Sequence, residues 1–251
     1  GQLRAVFTRH QFDVVIHLAG EVGVRPSLMR PADYVAVNVG GTLSVLELIK
    51  EFGVGQLIFA SSSSVYGKRI PGEDFVETDL PAPISPYGAT KMGAESLCQA
   101  YAYQYGTKVT VFRFFTVYGP GNRPDMACYK FTAAVDKGVP LHLFGKNTRR
   151  DFTYVGDIVE GIVKAVQKPV VFEVFNLGNS EPQTVARLVE IISAALGKTA
   201  KIVWEPLPAA DVPFTHANID KARLLLGWTP QTKLETGIDN LVAWYKINSA
   251  L

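Results

Sequence analysis

Only two cysteines, Cys98 and Cys128, occur in the 251 residues, and they have neither metal-binding spacing nor the pattern of a disulfide scaffold. Both are expected to be small buried apolar residues of a reducing compartment. Neither sign of charge is in excess, since 25 Lys and Arg stand against 23 Asp and Glu for a net +2. That balance gives no reason to expect nucleic acid or an anionic membrane as a partner. No uninterrupted apolar run approaches the length of a membrane span, so no membrane association is expected. A basic start followed by an apolar stretch is also missing, so no signal peptide is read and the expected location is cytoplasmic. There is no internal repeat and no low-complexity segment.

What is present is apolar. Hydrophobic residues make up 47% of the chain, enough to bury the core of one large α/β domain, or of a domain with a smaller lobe. β-branched runs alternate with helical patterns, which predicts a mostly parallel sheet with helices on its faces. The strands are expected at 13–20, 56–62, 108–115, 141–144 and 172–177 and near Ile202. The helices are expected at 32–52, 87–105, 129–137, 156–166, 184–196, 221–226 and 236–248. Residues 1–12 read as part of an amphipathic helix, with Leu3, Val6 and Phe7 on one side, leading straight into a buried strand. The sequence reads as though it starts inside a fold.

Ligands of open α/β sheets bind beyond the carboxyl ends of the strands. Three such ends are chemically loaded here: Ala19-Gly20, Ser61-Ser62-Ser63-Ser64 and Phe114-Phe115-Thr116. Tyr87 and Lys91 stand four residues apart, on one face of the helix that follows the serine run. A phenol titrates near pH 10, but a neighbouring ammonium and the positive helix end both favour phenolate. The bare spacing is common on surface helices, where it is a packed tyrosine beside a solvated lysine. Ser62 shifts the balance, because its hydroxyl lies at a strand end facing the same cleft and can relay a proton. Four serines directly after an apolar strand, followed by Val65-Tyr66-Gly67, are more than an ordinary polar loop.

These segments resemble the extended short-chain dehydrogenase/reductases, in the NAD-dependent nucleotide-sugar epimerase branch. The matching stretches are His17-Leu18-Ala19-Gly20, Asn38, Ser61 through Gly67, Ser85-Pro86-Tyr87 through Lys91, Arg113 through Pro120, and Arg149-Arg150-Asp151-Phe152-Thr153-Tyr154-Val155. They run in family order over almost the whole chain. Within the family, Gly23-Val24-Arg25, Thr116 and Arg123-Pro124-Asp125-Met126-Ala127 are most similar to UDP-glucuronate 4-epimerases. Related dehydratases and decarboxylases carry a carboxylate where Ser64 stands, which favours epimerisation here.

The resemblance implies a Rossmann-like parallel sheet with a smaller C-terminal α/β lobe for the UDP-sugar. Residues 1–120, with 152–178 returning, would form the dinucleotide-binding domain, and 121–151 with 179–251 the substrate lobe. It implies C4 inversion through a 4-keto sugar, with Tyr87, Ser62 and Lys91 catalytic and NAD as hydride carrier. Leu18, Ala19, Gly20, Asn38, Tyr87, Lys91 and Phe114 occupy family positions at the cofactor. Arg150 matches the diphosphate contact, and Arg25 and Arg123 are candidates for the phosphates or the sugar end. Ser63, Ser64 and Thr116 face the substrate. Leu143 and Phe144 match the segment that packs on uracil, though a plain short strand reads nearly as well. Asp211 matches a ribose contact. Arg149 is read as a surface residue, and His17 and His142 as structural. A homodimer through the helices carrying Asn38 and Tyr87 is implied as well.

Members of this family begin with a strand and a Gly-x-x-Gly-x-x-Gly turn that holds the NAD pyrophosphate. No such turn precedes His17, and the acidic residue for the adenosine ribose is not present. The expectation is therefore a sheet lacking its first strands, an open edge at 14–18, and weak NAD binding by these residues alone. A fragment of a longer enzyme and a naturally shortened chain both fit. The choice between NAD and NADP stays open. Two alternatives stand beside the hexuronate epimerase: an epimerase of neutral or N-acetylated UDP-hexoses, and a non-catalytic nucleotide-sugar-binding remnant.

Overall fold

The strand Gln56–Ser62 is buried at all seven positions, as a strand covered on both faces must be. It lies inside a four-stranded parallel sheet in a computed structural model that describes residues 1–70, 72–209 and 211–248. In chain order the elements are α1 (Gln2–Arg9), β1 (Val14–His17), α2 (Val24–Met29), α3 (Pro31–Tyr34), α4 (Gly41–Phe52), β2 (Gln56–Ser62), α5 (Pro86–Tyr105) and β3 (Lys108–Phe114). Then follow β4 (Thr116–Tyr118), α6 (Ala127–Lys137), β5 (Pro140–Phe144), β6 (Arg149–Arg150), β7 (Phe152–Tyr154) and α7 (Val155–Gln167). The rest comprises β8 (Phe172–Leu177), β9 (Gln183–Thr184), α8 (Val185–Leu196), β10 (Lys201–Glu205) and α9 (Leu234–Asn248).

The main sheet has the order β1-β2-β3-β8, all parallel. Helices cover both faces. On one side α4 and α5 pack Leu46, Ile49, Ala94 and Cys98 against Leu57, Phe59, Val109 and Val111. On the other, α7 and Trp228 close over Ile58, Phe112 and Phe175. A third core joins α6, α8 and α9 over Leu141, Leu143 and Phe152, and β5 pairs with β10 in the same region. Each fully buried large side chain contributes about 1.5–3 kcal/mol, so this burial sets the scaffold that carries the site. Both cysteines are buried and free.

Among the described residues, β1 pairs with β2 alone and forms one edge of the sheet, as expected for 14–18. Beside that edge Leu3, Val6, Ile16 and Leu18 are exposed.

Several details depart from the sequence reading. The helix expected over 32–52 starts at Pro31 and contains a π-helical stretch, Val35–Gly40, around Asn38. By length and composition the helical run Pro31–Phe52 could cross a membrane, contrary to the expectation that nothing here is long enough. Scattered polar residues such as Asn38 and Thr42 interrupt the apolar run in sequence. In the fold they lie on the buried face, together with Tyr34, Leu46 and Ile49. The loop carrying Arg25 contains α2, six residues with a proline inside. β4, β6, β7 and β9 are absent from the expected strands, since two or three residues carry no periodicity, and Thr184 of β9 is expected as the start of a helix.

Candidate active site

The carboxyl ends of β1, β2 and β3 open onto the N-terminus of α5. Ser85 caps that helix, its hydroxyl accepting the Gly88 amide at 3.1 Å, and Pro86 occupies the first turn. Gly88 lets the helix approach the serine turn, since a Cβ there would stand 2.4 Å from the Ser64 carbonyl. Tyr87 is thereby set against the end of β2. The Ser62 hydroxyl stands near enough to the Tyr87 phenol to lower its pKa, and it donates to Ser64 Oγ and accepts the Ser64 amide, both at 3.2 Å. The Tyr34 ring stands edge-on to Tyr87 with centroids 6.2 Å apart.

Burial raises the Tyr87 pKa above its usual 10. The Ser62 hydroxyl and the Arg123 charge act in the opposite sense. The sequence assigned that second role to Lys91, one turn away. Lys91 donates to the Ala60 carbonyl at 2.9 Å, and its ammonium lies 5.3 Å from the Phe59 ring centre. Burial lowers the Lys91 pKa to about 8. The i, i+4 spacing places both side chains on one helix face, with Lys91 held by the Ala60 carbonyl and Tyr87 beside Ser62.

Asn38 joins the loop after β1 to α5. Its amide nitrogen donates to the Glu21 carbonyl and to Thr90 Oγ1, both at 3.0 Å, and its oxygen accepts the Glu21 amide at 2.8 Å. A Cβ on Gly20 would meet Asn38 Oδ1 at 2.9 Å and Lys91 Nζ at 3.2 Å, so only glycine lets the backbone pass this close. Leu18 and Ala19 lie exposed beyond β1, and Phe114 ends β3 stacked on Phe112. A polar ammonium, a clamped amide and a bare glycine at one strand end fit the nicotinamide-ribose half of a dinucleotide. The glycine-rich turn that would hold the pyrophosphate is not in the 251 residues.

His17 lies beneath this loop, 3.1 Å from Thr42 Oγ1. Burial, and then the Lys91 charge, lower its pKa to about 4. The unfolded chain takes up this proton near pH 6.5 and the folded chain only near pH 4. Stability is therefore complete above about pH 6.5 and is lost as the pH falls toward 4, by about 3 kcal/mol at most. The Tm should drop from pH 7 to pH 5 by several degrees more in this chain than in His17→Gln. Equal drops would show that His17 does not titrate in this way. His142, the other histidine read as structural, pairs with Glu205 on the adjacent strand.

Beyond the serine turn a cavity of about 190 Å³ is lined by Ser63, Ser64, Thr116, Arg150 and Asp211, all anticipated. Val24, Gly67 and Ser85 also line it and belong to the matching stretches without having been given a role, while nothing in the local pattern marked Ile84, Val212 and Thr215. Arg150 lines this space, and among the described residues its only hydrogen bond is to the Arg149 carbonyl at 2.9 Å. Desolvation lowers its pKa to about 10. Arg25 reaches across to Asp211, Nη2 to Oδ2 at 2.8 Å, with its guanidinium 4.5 Å from the Phe144 ring centre. Arg123 is held by Asp125 at 2.7 and 2.9 Å. Leu143 departs from the expectation: the alternation of β5 turns its side chain into the third core, where it is 1% exposed, and leaves Phe144 toward the site. Arg149 is exposed, as read.

The model of the NAD-dependent epimerase/dehydratase family matches residues 1–178. A UDP-glucuronate 4-epimerase of Thermodesulfobacterium geofontis is 42% identical over 252 residues, covering 99% of this chain and 77% of the relative. The crystal structure of a Bacillus cereus UDP-glucuronic acid 4-epimerase with UDP-glucuronic acid and NAD superposes with a TM-score of 0.92 at 33% identity, over 99% of this chain and 79% of that one. A Thermotoga maritima UDP-glucose 4-epimerase with UDP-glucose gives 0.94 at 32% identity, over 99% and 82%. A serine beside a tyrosine at the end of a parallel sheet, next to a cavity lined by an arginine, is thus found in a chain that belongs to the NAD-dependent epimerase/dehydratase family.

Proposed function

We propose that this chain inverts C4 of a UDP-sugar, most specifically UDP-glucuronate to UDP-galacturonate, by transient oxidation to the 4-keto sugar. The observation that carries the reading is the placing of Tyr87, at the start of α5, beside Ser62 at a strand end, next to the cavity lined by Ser63, Ser64, Thr116 and Arg150. Tyr87 as phenolate accepts the proton of the sugar 4-hydroxyl, and the Ser62 hydroxyl bridges the two oxygens and holds their alignment. The same phenol returns the proton when the opposite face of the 4-keto sugar is reduced. Ser63, Ser64 and Thr116 position the hexose, Arg150 takes the diphosphate, and Asp211 accepts a ribose hydroxyl. Phe144 offers its ring to the uracil once Arg25 moves from it. NAD, when bound, supplies a reversible hydride acceptor. Leu18, Ala19, Gly20, Asn38, Lys91 and Phe114 would hold its nicotinamide-ribose end.

The sugar's acidity is recognised by Arg123, whose planar fork suits a carboxylate. Arg123→Ala should lower kcat/KM for UDP-glucuronate by about 10- to 100-fold, the value of one charged hydrogen-bonded contact. UDP-glucose turnover should change less than about threefold on the same scale. Equal losses on both sugars would favour the second reading, a 4-epimerase of neutral UDP-hexoses. That reading is supported by the close superposition on the UDP-glucose enzyme.

A further inference from the structure

Three consecutive residues at the end of β2 face three successive turns of α5. The Ala60 carbonyl accepts Lys91 Nζ at 2.9 Å, the Ser61 hydroxyl donates to the Glu95 carboxylate, and the Ser62 hydroxyl stands near the Tyr87 phenol, whose pKa it lowers. Tyr87, Lys91 and Glu95 are spaced by four and form one stripe along the helix. The sequence reading singled out the first two and left Glu95 unassigned.

Glu95 also takes Arg113 of β3 in a two-point contact, Nε to Oε1 at 3.1 Å and Nη2 to Oε2 at 2.8 Å, with both side chains 5% exposed. Arg113 stands opposite Ser61 in the β2–β3 register. Burial opposes the Arg113 charge, yet the Glu95 contacts hold its pKa above the ordinary value. The guanidinium lies 4.7 Å from the Tyr66 ring centre and donates to the Glu77 carbonyl at 3.3 Å. Tyr66 follows the serine turn directly and donates to Asn176 Oδ1 at 2.7 Å.

Burying an ion pair costs several kcal/mol per charge, and an apolar pair of similar volume often stabilises as well or better. Stability alone therefore does not account for these residue types. What an apolar pair cannot do is accept the Ser61 hydroxyl. None of Ser61, Glu95 and Arg113 lines the substrate cavity.

We propose that Glu95 is a positioning residue of the acid–base site: through Ser61 it fixes the end of β2, and so sets the Ser62 hydroxyl against the Tyr87 phenol. Arg113 neutralises the buried carboxylate and fixes its orientation. The inference rests on the C4-epimerase reading above, deepening it by one layer behind the reacting groups.

The test uses Ser61→Ala, Glu95→Gln and the double variant Glu95→Met, Arg113→Met. The double variant keeps an apolar contact between α5 and β3 but offers Ser61 no acceptor. For each, Tm, kcat and KM for UDP-glucuronate are measured. The ionisation of Tyr87 is read by pH-jump absorbance as the phenolate step that disappears when Tyr87→Phe is added. The expected result is KM within about twofold of the parent and kcat lower by about 10- to 100-fold, the scale of a small misplacement of reacting groups. The Tyr87 step should move to higher pH, and the double variant should keep its Tm. A double variant that folds with parental kcat and an unmoved step would overturn the proposal, as would losses of kcat that only track Tm. If the parent chain does not epimerise UDP-sugars, the functional reading fails by itself. The Tyr87 step then decides the positioning claim, supporting it by moving and overturning it by staying.

Discussion

Tyr87→Phe is expected to lower kcat by about a thousandfold, within the range that a positioned general acid–base group supplies. Phenylalanine keeps the ring against Tyr34 and removes only the oxygen that meets Ser62. UDP binding should stay within about threefold, because the diphosphate contact at Arg150 is untouched. The parent kcat should also rise with pH. Burial holds the phenol above its usual range, so phenolate is scarce at neutral pH and increases as the pH rises. Tyr87→Phe should lose that rise. Steady-state rates and UDP calorimetry across pH check all three statements. A variant within tenfold of the parent would remove Tyr87 from the chemistry.

Arg150→Met should weaken UDP binding by about 10- to 100-fold, the value of a charged hydrogen-bonded contact of 1.5–3 kcal/mol. The guanidinium is desolvated, with the Asp211 charge nearby but, among the described residues, a hydrogen bond to the Arg149 carbonyl alone, so most of its donors are left for an arriving anion. Desolvation strengthens whatever charge then approaches. Methionine keeps the apolar stem. Calorimetry with UDP alone measures the effect without cofactor or turnover. Arg149→Met is the control, because the exposed Arg149 should leave binding unchanged. Equal affinity in Arg150→Met and the parent would place the diphosphate elsewhere.

The central elements were legible because their burial writes itself into the sequence. β2 is covered on both faces and reads as an apolar run, and its limits and those of β8 match the expectation residue for residue. The α8 helix was legible from its apolar stripe, its Thr184 cap and the left-handed Gly197 that ends it. Elements whose stability is tertiary were not. α2 is one turn and a half with Pro26 inside it, and β4, β6, β7 and β9 are held by partners distant in sequence.

The site divides in the same way. Ser62, Tyr87, Ser64, Thr116, Arg150 and Asp211 could be named because each follows a strand end or a segment characteristic of the family. What Lys91 does could not be read from its spacing. Four residues along a helix fix a face, but the carbonyl that Lys91 meets belongs to Ala60, on another element. Glu95 carried no local signal, and Arg113 opened a matching stretch without a role, since their contact and the Ser61 hydroxyl bound to Glu95 exist only once β2, β3 and α5 pack. Leu143 was named from its segment, and the strand's alternation sends its side chain into the core instead.

The central claim is C4 inversion by oxidation and return of the same hydrogen. Its most direct test is NMR of UDP-glucuronate incubated with this chain at saturating NAD in D2O. The account predicts UDP-galacturonate that retains protium at C4 and C5, formed at a rate that collapses in Tyr87→Phe. Deuterium at C4 or C5 of the product, an unchanged rate in Tyr87→Phe, or no conversion at saturating NAD would contradict it.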